Sequence, residues 1–436
     1  MEQLTRQMPM NLFIVGLDAF NRRKLEALNA KKEFSFHPLL HIEEVTSHRD
    51  YDLEATLEKA NRILKAFPQT IHGIIGYWDF PVSLIIPILS ERFGLRSPSL
   101  ESVLKCEHKY WSRLEQCRVA PEHVPSFQRL DPFNDEAVAA IRVSYPFWIK
   151  PVKSFASHLG FRVRNAHELR NAIRTIRGGI MEIGNTFNQF LTHASIPEQV
   201  AEVDGNHCVV ESLISGHQCT LEGFVYQGEV QIYGVVDSFR HANHSTFLRY
   251  QYPSILPNGV KARMAEIGKR VIYEIGLDNS AFNMEFFWHR RQNQIWLLEI
   301  NPRISQSHGD LFEKVDGMPH HRILIDLVLG RRPAWSKSAG EFHYAAKFFL
   351  RRFRDALVTR VPTKEEIREI VSRFPGTLIE VQVHEGMRLS DLEPQDQDSY
   401  SYICALIFMG AQNARELVRN YGECQRSLHF AFAESP

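Results

Sequence analysis

A chain of 436 residues is longer than one hydrophobic core usually organises, and at roughly 150 residues per domain about three domains are expected. Lysine plus arginine number 51 and aspartate plus glutamate 51, so the formal net charge is zero, which speaks against a general nucleic-acid or anionic-membrane binder. With 44% hydrophobic and 23% charged residues, the composition excludes a mainly disordered chain.

The opening MEQLTRQMPMNLFIVG has no small-residue cleavage site, so a secretion signal is not expected. Asn11 to Val15 is a short apolar run closed by Gly16-Leu17-Asp18, which predicts a strand ending in a loop. Leu53, Leu57, Ala60, Leu64 and Phe67 fall at helical spacing. Ile71 to Gly76 reads as a second strand, and Pro81 to Phe93 as a helix with proline in its first turn. Strands alternating with helices imply a parallel sheet covered on both faces. No G-x-G-x-x-G follows either strand, so this part shows no dinucleotide fingerprint. Its loop Tyr77-Trp78-Asp79-Phe80 is either scaffold or part of a substrate pocket.

A helical stretch from Leu100 to Cys117 leads to Pro121 and Pro125, which break it. A helix around Asp135 to Arg142 precedes a strand over Pro146 to Val152 and a polar loop to Gly160. Ala166 to Ile176 is helical, whereas the glycines and weak periodicity of 178–205 read as irregular. From Cys208 the pattern is β, over Cys208 to Ile214, Cys219 to Tyr226 and Glu229 to Val236. Val260, Met264, Ile267, Val271 and Ile275 mark a helical face, two further strands follow, and another helix falls near His320 to Leu329. Beyond Pro333 come short strands (Tyr344 to Leu350, Thr377 to Val383, Tyr400 to Met409) and helices at 363–373 and 412–421. The longest apolar stretches, Val82 to Leu89 and Ile403 to Met409, fall far short of the ~20 residues of a membrane span. The six cysteines form no C-x-x-C pair, so reduced, mostly buried thiols in a cytoplasmic protein are expected.

The most informative segment is 280–303. Two apolar runs flank His289-Arg290-Arg291-Gln292-Asn293-Gln294, a polar turn, and predict an antiparallel hairpin. Side chains alternate faces along a strand, so Glu299 and Asn301 share one face of the second strand, and Asn283, Glu285 and Phe287 one face of the first. A turn centred near Gln292 places Glu285 opposite Glu299. Two opposed carboxylates in apolar strands repel, and burying either unpaired costs several kcal/mol. A divalent cation removes both objections, and two carboxylates with an asparagine oxygen are a hard-oxygen set suited to Mg²⁺ or Mn²⁺. Lys150 ends an apolar strand, where a point charge can meet a phosphate. Lys109 adds a second cation or is a solvated helical lysine.

These residues resemble the ATP-grasp superfamily. Glu285 followed by Glu299-Ile300-Asn301-Pro302-Arg303 resembles its metal-binding signature, and Tyr145-Pro146-Phe147-Trp148-Ile149-Lys150-Pro151 its strand-borne lysine. Val209-Val210-Glu211-Ser212-Leu213-Ile214-Ser215-Gly216 resembles its adenine hinge, and Glu107-His108-Lys109-Tyr110-Trp111-Ser112-Arg113 its opening helix in carboxylase-like and dipeptide-ligase-like members. The matches run over residues 100 to 330. The resemblance implies an α/β chain with α+β lobes: an ATP-grasp fold behind an N-terminal Rossmann-like α/β domain (1–105), with a small lobe (106–210), a large lobe carrying the hairpin (211–335) and a C-terminal β-rich lobe (336–436). It implies that ATP is held by Lys109, Lys150, Ser154 and Ser157, and at the adenine by Ser212, Ile214 and the nearby Glu211. Glu285, Glu299 and Asn301 would hold the metal, and Arg303 would offset charge on the transferred group.

The chain also departs from the pattern. Gln218 stands where the family often has an acidic ribose ligand, where it can still hydrogen-bond ATP but carries no charge, and the phosphate loop Lys153-Ser154-Phe155-Ala156-Ser157-His158-Leu159-Gly160 has a single glycine. Ser307 falls where biotin-carboxylase relatives place a catalytic glutamate, which disfavours bicarbonate chemistry. The expected activity is ADP-forming ligation of a small carboxylic acid or amino acid to an amine or amino acid through an acyl phosphate. The alternatives are an ATP-binding sensor or assembly subunit with weakened catalysis, and, further off, a bicarbonate-using carboxylase. Glu222 either binds an incoming ammonium or is an exposed strand carboxylate. Arg249, in Arg249-Tyr250-Gln251-Tyr252-Pro253, lines a substrate cavity or lies in a surface loop. His241 and His244 have no third ligand in sequence, so zinc is not expected. Arg351-Arg352-Phe353-Arg354 reads as a solvated strand end. Expected partners are small molecules, with no nucleic acid and no membrane; a homodimer is left open.

Overall fold

The computed structural model describes residues 8–46, 51–155, 158–241, 246–392, 396–398 and 401–433. Ser157 and His244 lie outside them. The N-terminal part is a parallel sheet in the order Phe34–Leu39, Met10–Val15, Ile71–Ile75. Phe34–Leu39 is an additional strand, between the helices Ala19–Ala27 and Leu53–Ala66. The expected helix from Leu100 is two, Leu100–Glu107 and Lys109–Val119. His108 is extended between them, and its Nδ1 accepts the Trp111 N–H at 3.1 Å as a cap. The break turns Lys109 into the first residue of a new helix, buried rather than solvated.

A four-stranded sheet follows, in the order Phe127–Leu130, Cys208–Ser212, Phe147–Pro151, Phe161–Val163. Over it lies one long helix, Ala166–Leu191, in place of the irregular stretch expected after residue 177. Gly178, Gly179 and Gly184 each cost a helix about 1 kcal/mol. Burial of Ile180, Ile183, Phe187 and Phe190 returns roughly 1.5–3 kcal/mol apiece and outweighs that. Gly184 has a further reason: a Cβ there would stand 2.6 Å from the Gly205 carbonyl oxygen.

The largest sheet has nine strands and is antiparallel. Its main path runs Gln294–Asn301, Ser280–His289, His217–Tyr226, Glu229–Arg240, Phe247–Tyr252, Tyr344–Arg352, Ser401–Ala411, Leu378–Val381. Helix Asn258–Ile275 covers its back face, bringing Gly268 to Met284 and Leu221 and Met264 to Cys219. That burial leaves the odd-numbered hairpin residues Asn283, Glu285 and Phe287 on the front. Phe247–Tyr252 is an interior strand, not a surface loop. All six cysteines are free thiols. No helix among the described residues is long and apolar enough to cross a membrane.

Candidate active site

The hairpin pairs Glu285 with Glu299 and Asn283 with Asn301, the register that the turn predicted. Its second strand carries one extra residue: Glu285 opposes Glu299, but Phe286 opposes Leu297, so Leu298 bulges out. Without that insertion Leu297 and Glu299 would share a face. The bulge lets Leu297 enter the core while Glu299 stays in front. It also exposes two carbonyls, and Arg113 donates to both, from Nη1 to Leu297 at 3.0 Å and from Nη2 to Leu298 at 2.9 Å.

The two front carboxylates are not equivalent. Glu285 is driven up, by burial first and by the Glu299 charge second. Burial would also raise Glu299, but the Lys109 and Lys150 charges outweigh it and hold Glu299 below its usual range. Lys109 Nζ lies 2.9 Å from Glu299 Oε1 and donates to the Ser154 carbonyl at 2.8 Å. Gln218 donates to Glu285 Oε2 at 2.8 Å and accepts from Arg240 at 2.8 Å and 3.0 Å, so its amide orients Glu285. Asn301 gives its NH₂ to Asn283 Oδ1 at 3.0 Å, leaving its own carbonyl oxygen outside that bond. Among the described residues no three His, Cys, Asp or Glu side chains form a metal cluster. The donor set here, two carboxylates and an amide oxygen, is of a different kind and fits a hard cation with waters or phosphates as its other ligands.

Beside these carboxylates stands a cationic wall. Lys150 reaches Glu211 at 2.9 Å, and Arg113 Nε reaches the other oxygen of the same carboxylate at 2.6 Å. Glu211 is therefore a buried bridge between the small sheet and the opening helix, rather than a side chain turned to a ligand. Ser212 ends its strand, donating its N–H to Ser126 at 2.9 Å, and Ile214 lies in the link to the large sheet. Gly216 closes that link at φ +141°, where a Cβ would meet the Trp288 carbonyl at 2.4 Å. The wall continues with Lys153, which contacts Glu107 and lies 3.4 Å from Asp79.

Asp79 is the residue that the loop Tyr77-Trp78-Asp79-Phe80 contributes. Burial alone would raise its carboxyl, yet the Arg303 and Lys153 charges hold it far below the usual range. It accepts from Arg303 Nη2. Arg303 Nε is buried without a partner among the described residues, a donor left over by the protein's own hydrogen bonding.

Glu222 is fully buried and neither exposed nor open to an ammonium. His308 Nδ1 lies 2.7 Å from Glu222 Oε1, and Tyr233 donates to Oε2 at 3.2 Å. The His308 ring meets Tyr250 edge-on with centroids 5.2 Å apart. Tyr250 pairs with Ser238, Ser238 with Gln218 and Gln218 with Phe287, so all of these stand on the Glu285 face. Arg249 is on the other face, its guanidinium 3.8 Å above the Phe239 ring, and the structure does not bring it to the site. Ser307 does reach the front, where its hydroxyl accepts from Lys347 at 3.0 Å. Sequence reading missed His308, Arg240 and Lys347 as site residues, quoted Arg113 without giving it a role, and had Tyr250 and Asp79 only as members of candidate pocket segments. The available signal was weak: charged or aromatic residues at alternate positions in strands.

The Glu211 bridge carries a pH prediction. Burial raises its carboxyl, but Arg113 and Lys150 more than compensate and bring it from 4.5 down to about 2. A depressed folded value means that this stability is present above the unfolded value and is lost as pH falls from about 4.5 towards 2. The loss expected is on the order of 3 kcal/mol. Glu211→Gln should flatten that limb of the stability–pH curve in urea melts and lower stability at pH 7 by roughly 3 kcal/mol, because two buried cations then share no charge partner.

Residues 143–309 match the family model of the ATP-grasp domain. A carbamoyl phosphate synthase large chain of Kineococcus radiotolerans is 37% identical over 68 residues, 16% of this chain and 6% of that protein. This chain thus matches only a small part of its curated relatives. An L-amino acid ligase from Bacillus licheniformis is similar in structure over 98% of this chain and 100% of its own, with TM-score 0.74 and 15% identity. A biotin carboxylase from Campylobacter jejuni is similar over 98% and 93%, with TM-score 0.64 and 14% identity. The chain carries an ATP-grasp domain, and its fold is the ATP-grasp fold with an α/β domain before it and a β-rich lobe after it.

Proposed function

We infer that this ATP-grasp chain is a ligase that activates a carboxylate as an acyl phosphate and transfers it to an amine, forming a C–N bond. One observation carries the reading: Glu285 opposes Glu299 beside Asn301, Lys109 contacts Glu299 at 2.9 Å, and the Lys150 charge acts on the same carboxylate. A magnesium–triphosphate unit would fit both sets of groups, the carboxylates holding its metal and the lysines its oxygens. Glu285, Glu299 and Asn301 would hold Mg²⁺ (or Mn²⁺), which neutralises phosphate charge when bound. Ser212 and Ile214 lie where backbone groups would read the adenine edge.

A carboxylate oxygen of the acid attacks the γ-phosphorus, the bond to the β-phosphate oxygen breaks, and ADP leaves. The Arg303 guanidinium, held by Asp79, offers Nε to the transferred group. The amine nitrogen then attacks the acyl carbon and phosphate departs. Before that attack the ammonium proton goes to His308 Nε2, with Glu222 fixing the ring through Nδ1, and the proton shed on C–N bond formation leaves with the phosphate. Glu222 thus acts through His308, not on the ammonium directly.

The test is ADP and phosphate release with Mg²⁺, pooled small acids and pooled amines. The reading expects at least about tenfold faster release with both pools than with either alone. Equal release with ATP alone, or none with any pair, overturns it.

A further inference from the structure

One charged side chain on the front face has no task in this scheme. Lys347 lies on Tyr344–Arg352 and pairs opposite Tyr250, which continues the row through Ser238 to Gln218, the residue that holds Glu285. Directly opposed residues share a face, so Lys347 stands on the same side of the sheet as the hairpin carboxylates. Its ammonium donates to Ser307 Oγ at 3.0 Å and lies 5.3 Å and 5.4 Å from the ring centres of Phe349 and Phe408. Among the described residues it makes no ion pair; Glu380 and Asp396 act on it only at longer range. A serine hydroxyl takes one of its N–H groups and two rings lie against it, but the charge is left unbalanced.

Burial is the main influence on this ammonium and, with Arg351 nearby, brings it down to about 8 against the pull of Glu380 and Asp396. A group so placed gains most from an anion that arrives with its own charge. Ser307 is four residues from Arg303, a separation that spans at most about 14 Å. Tyr250, directly opposite Lys347, also meets the His308 ring with centroids 5.2 Å apart, which sets the unbalanced charge beside the proposed base. One ammonium and one hydroxyl match a singly charged oxyanion, and the flanking rings suit a methylene stem.

We propose that Lys347 and Ser307 form a carboxylate subsite, so that one of the two substrates carries a carboxylate besides the one that is activated. That group belongs either to a dicarboxylic acid on the acid side or to an amino acid on the amine side. The proposal rests on the ligase reading.

The experiment removes the extra carboxylate from one side at a time. On the acid arm, glutarate and succinate are compared with their monoamides; on the amine arm, glycine and alanine with glycinamide and alaninamide. Lys347→Gln should raise KM for the carboxylate-bearing partner at least about tenfold, with kcat nearly kept, and shift KM for its amide far less. The arm in which this preference collapses identifies the substrate that carries the group. Lys347→Arg should restore most of the preference. Ser307→Glu should abolish it, because its own carboxylate would occupy the subsite. Equal KM increases for carboxylates and amides in both arms overturn the proposal.

A second measurement does not depend on ligation. Lys347 in the full-length protein is reductively methylated with formaldehyde and cyanoborohydride, and its peptide is quantified by mass spectrometry. Succinate, glutarate or N-acetylglycine should slow its labelling at least about threefold relative to chloride at equal ionic strength. If no pair of substrates releases ADP but carboxylates still protect Lys347, the subsite stands and the ligase reading falls. If none of the three protects it, the subsite is overturned.

Discussion

Glu285→Gln and Glu299→Gln should each abolish most ATP-dependent activity while moving stability in opposite directions. Each removes a carboxylate from the pair that opposes across the hairpin, and losing charge stabilisation around a transferring phosphoryl group costs roughly 10²–10³-fold or more in kcat/KM. Glu285 is held above its usual range by burial and by Glu299, so its ionised form is a strain on the fold without metal. Glutamine keeps the shape and removes the charge, so Glu285→Gln should raise stability by about 1 kcal/mol, roughly one degree in the melting temperature of a chain this long. Glu299 is instead held low by Lys109 and Lys150, and its loss leaves Lys109 with only the Ser154 carbonyl. Glu299→Gln should therefore lower the melting temperature by a similar amount. Calorimetry and ADP release on the same preparations read both effects. Mg²⁺ with ATP should stabilise the wild type and not the double variant. If the double variant keeps wild-type activity, or is stabilised equally by Mg²⁺ and ATP, the hairpin is not the phosphate site.

His308→Asn should separate the two halves of the reaction. The asparagine amide can still donate towards Glu222 from near the Nδ1 position, so the buried pair with its 2.7 Å contact keeps a donor, while the acceptor at Nε2 is gone. Proton transfer by a positioned base contributes roughly 10²–10⁴-fold, so ligation of ammonium-type amines should fall by at least about 10². Hydroxylamine is already neutral at pH 7 and needs no base before it attacks. Hydroxamate formation from the same acid, read by its ferric colour, should stay within about threefold of wild type. Glu222→Gln should give a partial version of the same split. A proportional loss with both nucleophiles would make His308 merely a structural support for the helix that it precedes, Gly309–Asp316.

The contrast between these residues shows what was legible. Glu285, Glu299 and Asn301 lie within seventeen positions of each other. Strand alternation and a polar turn sufficed to place them, because a hairpin's register is local. The Leu298 bulge was not readable, since it depends on Leu297 finding the core and on Arg113 arriving from another segment. Helix Ala166–Leu191 was cut short in the sequence reading because its glycines look like breaks, while their compensation lies in Gly205 and the core beneath. Arg249 and Tyr250 were adjacent candidates, and only the pairing with Ser238 decides that Tyr250 faces the site and Arg249 faces Phe239.

By itself, then, the sequence determined the acidic hairpin, the lysine-bearing strand and helix, and part of the order of elements, since each depends on periodicity or spacing over a few residues. Tertiary structure alone decided the partners. Asp79 reaches Arg303, Glu211 bridges Lys150 and Arg113, His308 meets Glu222, and Lys347 meets Ser307, pairs that come from separate parts of the chain. The burial that perturbs these charges also selects their neighbours, and burial depends on the whole packed chain rather than on any short stretch of it.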